Sequence, residues 1–202
     1  MNKKLMNISF FKELSEIDIS EIIDEKKTII GLDIGDKTIG VSVSDRRIKI
    51  ASAVTVILRK KINIDCAKLY ESIIPYNPKI IIFGWPLHMD GTPSKQCEKN
   101  LEFIDKFGDY INSNYISNVN YINNIKNINN NTNNDNHNHD ERNHLKNAIF
   151  AKWDERFSTK VVDEIMIEAD LSRKRRKQVI DKTAAAYILQ GALDFLNRTK
   201  VF

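Results

Sequence analysis

Residues 29–45 read IIGLDIGDKTIGVSVSD and place a carboxylate, Asp33, within an otherwise apolar strand pattern. Aspartate is depleted in strands, and burying an ionised carboxylate without compensation is costly. We therefore expect a cation beside Asp33, either a metal ion or a basic side chain. Gly35 can turn the chain after this strand, and Gly40 permits close approach by a second strand or a ligand. The stretch predicts a hairpin that presents an acid beside a clear space.

The composition indicates a globular protein. The 202 residues, 42% of them hydrophobic, suffice for one domain with a full core plus extensions, or for two small domains. Cys66 and Cys97 lie far apart in helical patterns and indicate neither a disulfide framework nor a zinc site, so we expect a reducing compartment. No apolar run approaches the ~20 residues of a membrane span, so we expect no membrane partner.

The pattern along the chain predicts an α/β fold with a mixed sheet. After the hairpin we expect strands at 48–58, 79–84 and 148–153, and helices at 64–74, 94–110, 160–169 and 178–197. Residues 1–27 form an amphipathic N-terminal extension whose many acids argue against a transit peptide. We expect a cytoplasmic location, with organelle import left open.

Residues 112–147 differ in composition from the rest of the chain. Sixteen of these thirty-six residues are asparagine, so the segment has too little apolar surface to offset its ordering entropy. We predict a disordered, low-complexity insertion that interrupts one domain at 28–202. His137, His139 and His144 lie within it; metal binding by them is the alternative to simple compositional drift.

Three acids stand where the pattern favours other residues. Asp33 lies in the first strand, Glu155 follows the last strand, and Asp181 is expected in the first turn of the final helix. Asp181 shares a helical stripe with the core positions Ala185 and Ile188, so it should face the sheet. The ordinary alternative for Glu155 is an ion pair with Arg156 or a nearby lysine. For Asp181 it is helix-dipole compensation or an ion pair with Lys177, four residues before it. Together, the three acids predict a Mg²⁺ or Mn²⁺ site, and two such ions can activate water and stabilise a leaving oxygen.

A basic segment lies close to these acids. It consists of Arg173, Lys174, Arg175, Arg176 and Lys177, with Lys182 shortly after. Such a run is either a solvated face or an anion-binding surface. Its proximity to the acids favours a nucleic-acid phosphate backbone as the partner.

Four motifs, in order along the chain, resemble the signatures of the YqgF family. They are GLDIGDKTIGV at 31–41, FGWPLHMDG at 83–91, DERFST at 154–159, and IDKTAA with ILQ at 180–190. This family comprises RNase H-like proteins related to Holliday-junction resolvases and regarded as pre-16S ribosomal RNA nucleases. The resemblance covers roughly residues 28–110 and 148–197.

The resemblance implies an RNase H-like mixed sheet flanked by helices and a metal-dependent nuclease active in ribosome biogenesis. It implies a hydrolase that processes the 5′ end of precursor 16S-type ribosomal RNA, as a monomer or homodimer. Asp33, Glu155 and Asp181 would be the catalytic metal ligands. Lys37, Arg156 and the loop at 86–91 would contact structured RNA.

The chain departs from the family pattern at three positions. Thr38 stands where the family usually has arginine, which removes one expected phosphate contact. Trp85 and His88 replace the usual leucine and asparagine of the glycine–proline loop. His88 is a candidate general acid or base, and an ordinary solvated loop histidine is the alternative.

Three other functions are compatible with parts of the pattern. The same site would serve a Holliday-junction DNA resolvase, which would act as a dimer. A non-catalytic RNA-binding module would keep the fold and lose the chemistry. The hairpin also resembles the first phosphate loop of sugar kinases and actin-like ATPases, but the chain offers no second Gly-rich phosphate loop.

Overall fold

The computed structural model describes residues 14–128, 145, 147–154 and 173–198, with side chains at 14–114, 145, 147–154 and 183–198. The strands are β1 (Thr28–Ile34), β2 (Thr38–Ser44), β3 (Ala51–Leu58), β4 (Pro78–Trp85) and β5 (Ile149–Asp154). The helices are α1 (Ile19–Asp24), α2 (Ile62–Ile73), α3 (Lys95–Ile128) and α4 (Arg173–Arg198). Short 3₁₀ turns occupy Leu14–Glu16 and Ile74–Tyr76.

The described strands form one mixed sheet in the order β3-β2-β1-β4-β5. The first three strands pair antiparallel, whereas β1, β4 and β5 are parallel. The predicted α/β fold with a mixed sheet flanked by helices is confirmed. We call the end of the sheet at Ile34, Trp85 and Asp154 the carboxyl edge.

Both faces of the sheet are buried, because alternate residues of each strand point to opposite sides. On one face, Leu32 and Phe83 pack against α2 and α3, where the rings of Phe103 and Phe107 stack with centroids 6.5 Å apart. On the other face, Ile29, Ile82 and Ala151 pack against α4. Two helical layers therefore enclose the sheet.

The N-terminal extension contributes to the second of these cores from Leu14 onward. The side chains of Leu14, Ile19 and Ile22 are 7%, 2% and 2% exposed. They lie in the same apolar cluster as the α4 residue Leu193. Lys79 on β4 adds ion pairs to Glu21 and Glu25 at 3.4 and 3.2 Å. Over this range the extension is part of the folded unit.

Shortening Ile22 to alanine tests that conclusion. Because Ile22 is 2% exposed, Ile22→Ala should lower the free energy of unfolding by about 2–5 kcal/mol. The matched control is the neighbouring Ile23→Ala, since Ile23 is 39% exposed and should cost under about 0.5 kcal/mol. Urea denaturation followed by circular dichroism measures both. Equal midpoints for the two variants would show that the extension is not packed as described.

Two predicted boundaries were wrong. The helix expected to end at residue 110 continues to Ile128, so residues 112–128 are helical rather than disordered. The overlooked signal is a periodic one, since isoleucine or valine recurs every three residues at 116, 119, 122, 125 and 128. Leu145, assigned to the insertion, is 2% exposed and belongs to the first core. Residues 129–144 and 146 of the insertion, its histidines included, lie outside the described residues, as does the helix expected at 160–169.

The third strand begins at Ala51 rather than at residue 48. Ile48 has a φ of 58°, which no strand residue adopts, and it lies in the connection between β2 and β3. Asp45 shapes this turn, because its Oδ1 accepts hydrogen bonds from the backbone N–H groups of Lys49 and Ile50 at 2.7 and 2.9 Å. The apolar character of Ile48 predicted a strand residue and gave no indication of a left-handed backbone conformation.

Both cysteines lie in helices, as predicted, and both are free and buried. Burial, and then the negative charge of the adjacent Asp65, raises the pKa of the Cys66 thiol to about 11. Cys66 is therefore a protonated core residue at neutral pH. None of the described helices is both long enough and apolar enough to cross a membrane.

Candidate active site at the carboxyl edge

Asp33 is the penultimate residue of β1, next to the carboxyl edge. It pairs with Gly40 of β2 and is half-buried on the face of the sheet that α4 covers, two residues after Gly31. On the other side of β1, the register joins Leu32 to Phe83 of β4. The predicted acid in a buried strand is therefore present, and it lies at the end of the sheet where β4 and β5 also terminate.

Helix α4 runs antiparallel to β1, and this direction fixes where Asp181 lies. Ala185 O accepts a hydrogen bond from Ser42 Oγ at 2.8 Å, opposite the middle of β1. Asn197 Nδ2 donates to Ile48 O at 2.7 Å, at the end of the sheet where β1 begins. The backbone of Asp181, one turn before Ala185, is therefore on the carboxyl-edge side of that contact. Asp181 and Asp33 therefore lie toward the same end of the sheet, one in the helical layer and the other in the adjacent strand.

The start of α4 corrects two predictions. The helix begins at Arg173 rather than at residue 178, so the basic run forms its first turns instead of preceding it. Asp181 is consequently about two turns inside the helix and not in its first turn. Since dipole stabilisation is confined to the first turn, that alternative explanation for Asp181 fails. The side chains of Asp181, Lys182 and the basic run are outside the described set.

Glu155 and Arg156 are outside the described residues, so their predicted roles remain predictions. The residue before them, Asp154, ends β5 and is paired with Trp85 of β4 at the carboxyl edge. Lys152 lies two register positions before, paired with Phe83, and its Nζ is 4.2 Å from the centroid of the Trp85 ring. The chain therefore leaves the sheet toward Glu155 from the edge that bears Asp33.

The hairpin tip between β1 and β2 is held by one hydrogen bond within the hairpin and by two contacts from α3. Gly35 N–H donates to Thr38 O at 2.9 Å, and Gln96 Nε2 of α3 donates to Ile34 O at 2.9 Å. Asp36 Oδ1 accepts a hydrogen bond from Lys99 Nζ at 2.7 Å, which lowers the pKa of Asp36. Lys37, the predicted nucleic-acid contact, is exposed at this tip. A fixed tip keeps Lys37 in one place relative to Asp33.

The loop after β4 is also well ordered by hydrogen bonds. His88 N–H donates to Thr92 O at 2.8 Å, and Gly91 has a φ of 85° that favours glycine. Asp90 Oδ1 accepts from the Thr92 hydroxyl and N–H at 2.7 and 2.9 Å, which lowers the pKa of Asp90. Asn100 Nδ2 of α3 donates to Gly84 O at 2.9 Å. His88 itself is exposed at the carboxyl edge, where its imidazole faces solvent.

The donor chemistry of the predicted metal site fits Mg²⁺ or Mn²⁺. Carboxylate oxygens are the hard ligands that these ions prefer, and Asp33 is held half-buried, where an ion would offset its desolvation. Among the side chains that the structure describes, no three His, Cys, Asp or Glu residues form a metal-binding group. Of the predicted set, only Asp33 has a described side chain, so the full set stays a prediction.

Sequence reasoning missed the role of Gly31. A Cβ at this position would lie 2.6 Å from Leu189 Cβ and 3.0 Å from Ala185 O, so only glycine allows α4 to pack this closely on β1. Gly40, to which the close approach was assigned, is the strand partner of Asp33. The available signal was a mid-strand glycine together with the alanine run at 184–186.

Comparison with known proteins identifies relatives of this chain. The RuvX family model, described as Holliday junction resolvase, matches residues 27–124 and 121–195. A Clostridium botulinum (strain Hall) protein named "Putative pre-16S rRNA nuclease" is 35% identical over 170 residues, which cover 84% of this chain and 98% of the relative. A protein of the same name from Ruegeria sp. (strain TM1040) is 34% identical over 177 residues, covering 88% and 90%.

Two solved structures are also similar. The T. thermophilus RuvC structure in complex with a Holliday junction substrate matches with a TM-score of 0.41 and 10% identity, over 86% of this chain and 96% of that one. The Fowlpox virus resolvase in complex with Holliday junction DNA matches with a TM-score of 0.37 and 11% identity, over 86% and 99%. The family match spans most of the described fold and the four motifs, and by that match the chain belongs to the RuvX (YqgF) family, a nuclease family.

Proposed function

We propose that this protein is a divalent-metal-dependent nuclease that hydrolyses phosphodiester bonds in precursor 16S-type ribosomal RNA, at or near the 5′ end. The observation that supports this most directly is the half-buried Asp33 at the carboxyl edge, toward which α4 brings the backbone of Asp181. The names of the relatives support the choice of substrate. The free, buried cysteines support a reducing compartment, and we place the protein in the cytoplasm.

In the proposed mechanism Asp33, Glu155 and Asp181 hold the metal. When bound, Mg²⁺ or Mn²⁺ would supply an activated water and stabilise the charge on the leaving oxygen. Asp33 contributes a carboxylate to this site. Its strand, β1, is held on both sides by pairing with β2 and with β4. Basic side chains hold the phosphate backbone, since an acidic site alone would repel a polyanion. These side chains are Lys37, Arg156, Lys182 and the basic run of α4.

A Holliday-junction resolvase is the second candidate, supported by the description of the family model. It shares the site and differs in substrate and assembly. A resolvase cuts two strands symmetrically and needs a two-fold dimer. A protein that stays monomeric at assay concentration would count against this candidate.

A side-by-side cleavage assay tests the proposal. Precursor 16S ribosomal RNA and a four-way DNA junction are incubated separately with the wild-type protein and Mg²⁺, Mn²⁺ or EDTA. We expect specific cleavage of the RNA with either metal, none with EDTA, and little cleavage of the junction. Junction cleavage alone would favour the resolvase. Salt-sensitive RNA binding with no cleavage in either metal would instead identify a non-catalytic RNA-binding module.

A further inference from the structure

We propose that the lysines at the β3 end of the carboxyl edge form a second phosphate-binding surface, which holds the nucleic acid on one flank of the reacting bond. This surface, the lysine corner, consists of Lys37, Lys60 and Lys61. The inference rests on the proposed nuclease function and adds a contact that the motif analysis did not include.

The register of the sheet places the three lysines together. Thr38 at the start of β2 pairs with Leu58 at the end of β3, so residues 59–61 leave the sheet next to the hairpin tip. Arg59 N–H donates to Lys37 O at 2.9 Å, which joins the two segments directly. Strand β3 is two strands from β1, so the corner is about 10 Å to the side of Asp33.

Buried contacts hold the backbone of this corner. Asp65, at the start of α2, is 2% exposed and accepts the backbone N–H of Lys60 at 2.9 Å. Its other carboxylate oxygen lies 3.6 Å from Arg59 Nε. Arg59 Nη1 donates to Gly35 O at 2.9 Å, and its guanidinium lies 5.1 Å from the centroid of the Phe103 ring. Arg59 is thus a structural residue that fixes the segment displaying Lys60 and Lys61.

The charges at the corner leave a net positive surface. Two acids close to these lysines in the sequence are already paired, Asp36 with Lys99 at 2.7 Å and Asp65 with Arg59 at 3.6 Å. The ion pairs among the described side chains involve none of Lys37, Lys60 and Lys61, and all three residues are exposed. Three adjacent, exposed cations beside an acidic metal site fit a phosphate backbone that crosses the carboxyl edge toward β3.

The test compares two double variants in the Asp33→Asn background, which prevents cleavage during binding. Lys60→Gln with Lys61→Gln removes two charges at the corner, while the Lys60 N–H that contacts Asp65 is retained. Arg46→Gln with Arg47→Gln is the matched control, because both arginines are exposed at the opposite end of the sheet, between β2 and β3. Thermal melting confirms that each variant is folded.

Fluorescence anisotropy with labelled single-stranded precursor RNA, over a range of KCl concentrations, is the readout. The lysine double variant should bind the RNA about tenfold more weakly than the Asp33→Asn parent near 0.1 M KCl. The slope of log Kobs against log[KCl] should be smaller in magnitude by about 1.4, because two phosphate contacts are lost. The arginine double variant should match the parent in both quantities. Equal affinity for the lysine variant and the parent, or equal weakening of both variants, would overturn the inference. If the parent binds no RNA and wild type cleaves none, the proposed function has failed instead.

Discussion

Replacing Asp33 by asparagine should abolish metal-dependent RNA cleavage while the fold is retained. The change removes the charge of a proposed metal ligand but keeps its size, so the β1 pairing with Gly40 should persist. Losing several kcal/mol of transition-state stabilisation corresponds to a rate decrease of at least about 10³-fold. Single-turnover cleavage of precursor RNA in Mg²⁺ measures the rate, and circular dichroism with thermal melting measures the fold.

The matched control for this variant is Asp109→Asn. Asp109 is an exposed acid on α3, outside the proposed site, so the same chemical change should leave the rate within about twofold of wild type. A fully active Asp33→Asn protein would disprove the assignment of the metal site. A variant that unfolds would show that Asp33 is primarily structural, and that outcome also contradicts the expectation.

Enlarging Gly31 should destabilise the packing of α4 on β1, because this position has no room for a side chain. An alanine Cβ would lie 2.5 Å from Ser42 Oγ and 2.6 Å from Leu189 Cβ. We expect Gly31→Ala to lower the free energy of unfolding by about 1–3 kcal/mol, and Gly31→Val to lower it further. Because the clash pushes α4 away from β1, the distance from Asp181 to Asp33 should also change. Cleavage by the folded fraction should therefore decrease as well.

Gly35→Ala is the control for this clash. Its added Cβ would lie 3.3 Å from Thr38 O, a tight contact that a few tenths of an ångström relieve, so the cost should stay below about 1 kcal/mol. Urea denaturation compares the two alanine variants, and cleavage rates are corrected for the folded fraction. Comparable stability for both would mean that α4 does not pack on β1 as closely as described.

Local patterns in the sequence were sufficient to predict the sheet and its acid. The alternation in β2, the continuous apolar run of β4 and the unusual Asp33 are all local signals, and the structure has each of them in place. The packing role of Gly31 was missed because it depends on Ala185 and Leu189, more than 150 residues away in the sequence. No local pattern encodes such a tertiary contact.

The errors in predicting the end of α3 and the start of α4 have a different cause. The asparagine-rich run was interpreted from its composition as disordered, and the basic run was expected to precede the final helix, although Ile128 and Arg173 both lie in helices. Composition describes the solubility of a segment, whereas periodic apolar residues decide whether it continues a helix. The lysine corner was overlooked for a related reason, since Lys37 and Lys60 become neighbours only through the pairing of β2 with β3.

The antiparallel docking of α4 has a consequence for the timing of activity during synthesis. The five strands that the structure describes precede α4 in the chain, and Asp181 lies on α4. At a translation rate of about 5–20 residues per second, the sheet can begin to form before α4 has been made. A nascent chain at that stage would have Asp33 but would lack Asp181, one of the proposed metal ligands. A nuclease built in this way would become active only after its last helix has emerged from the ribosome that made it.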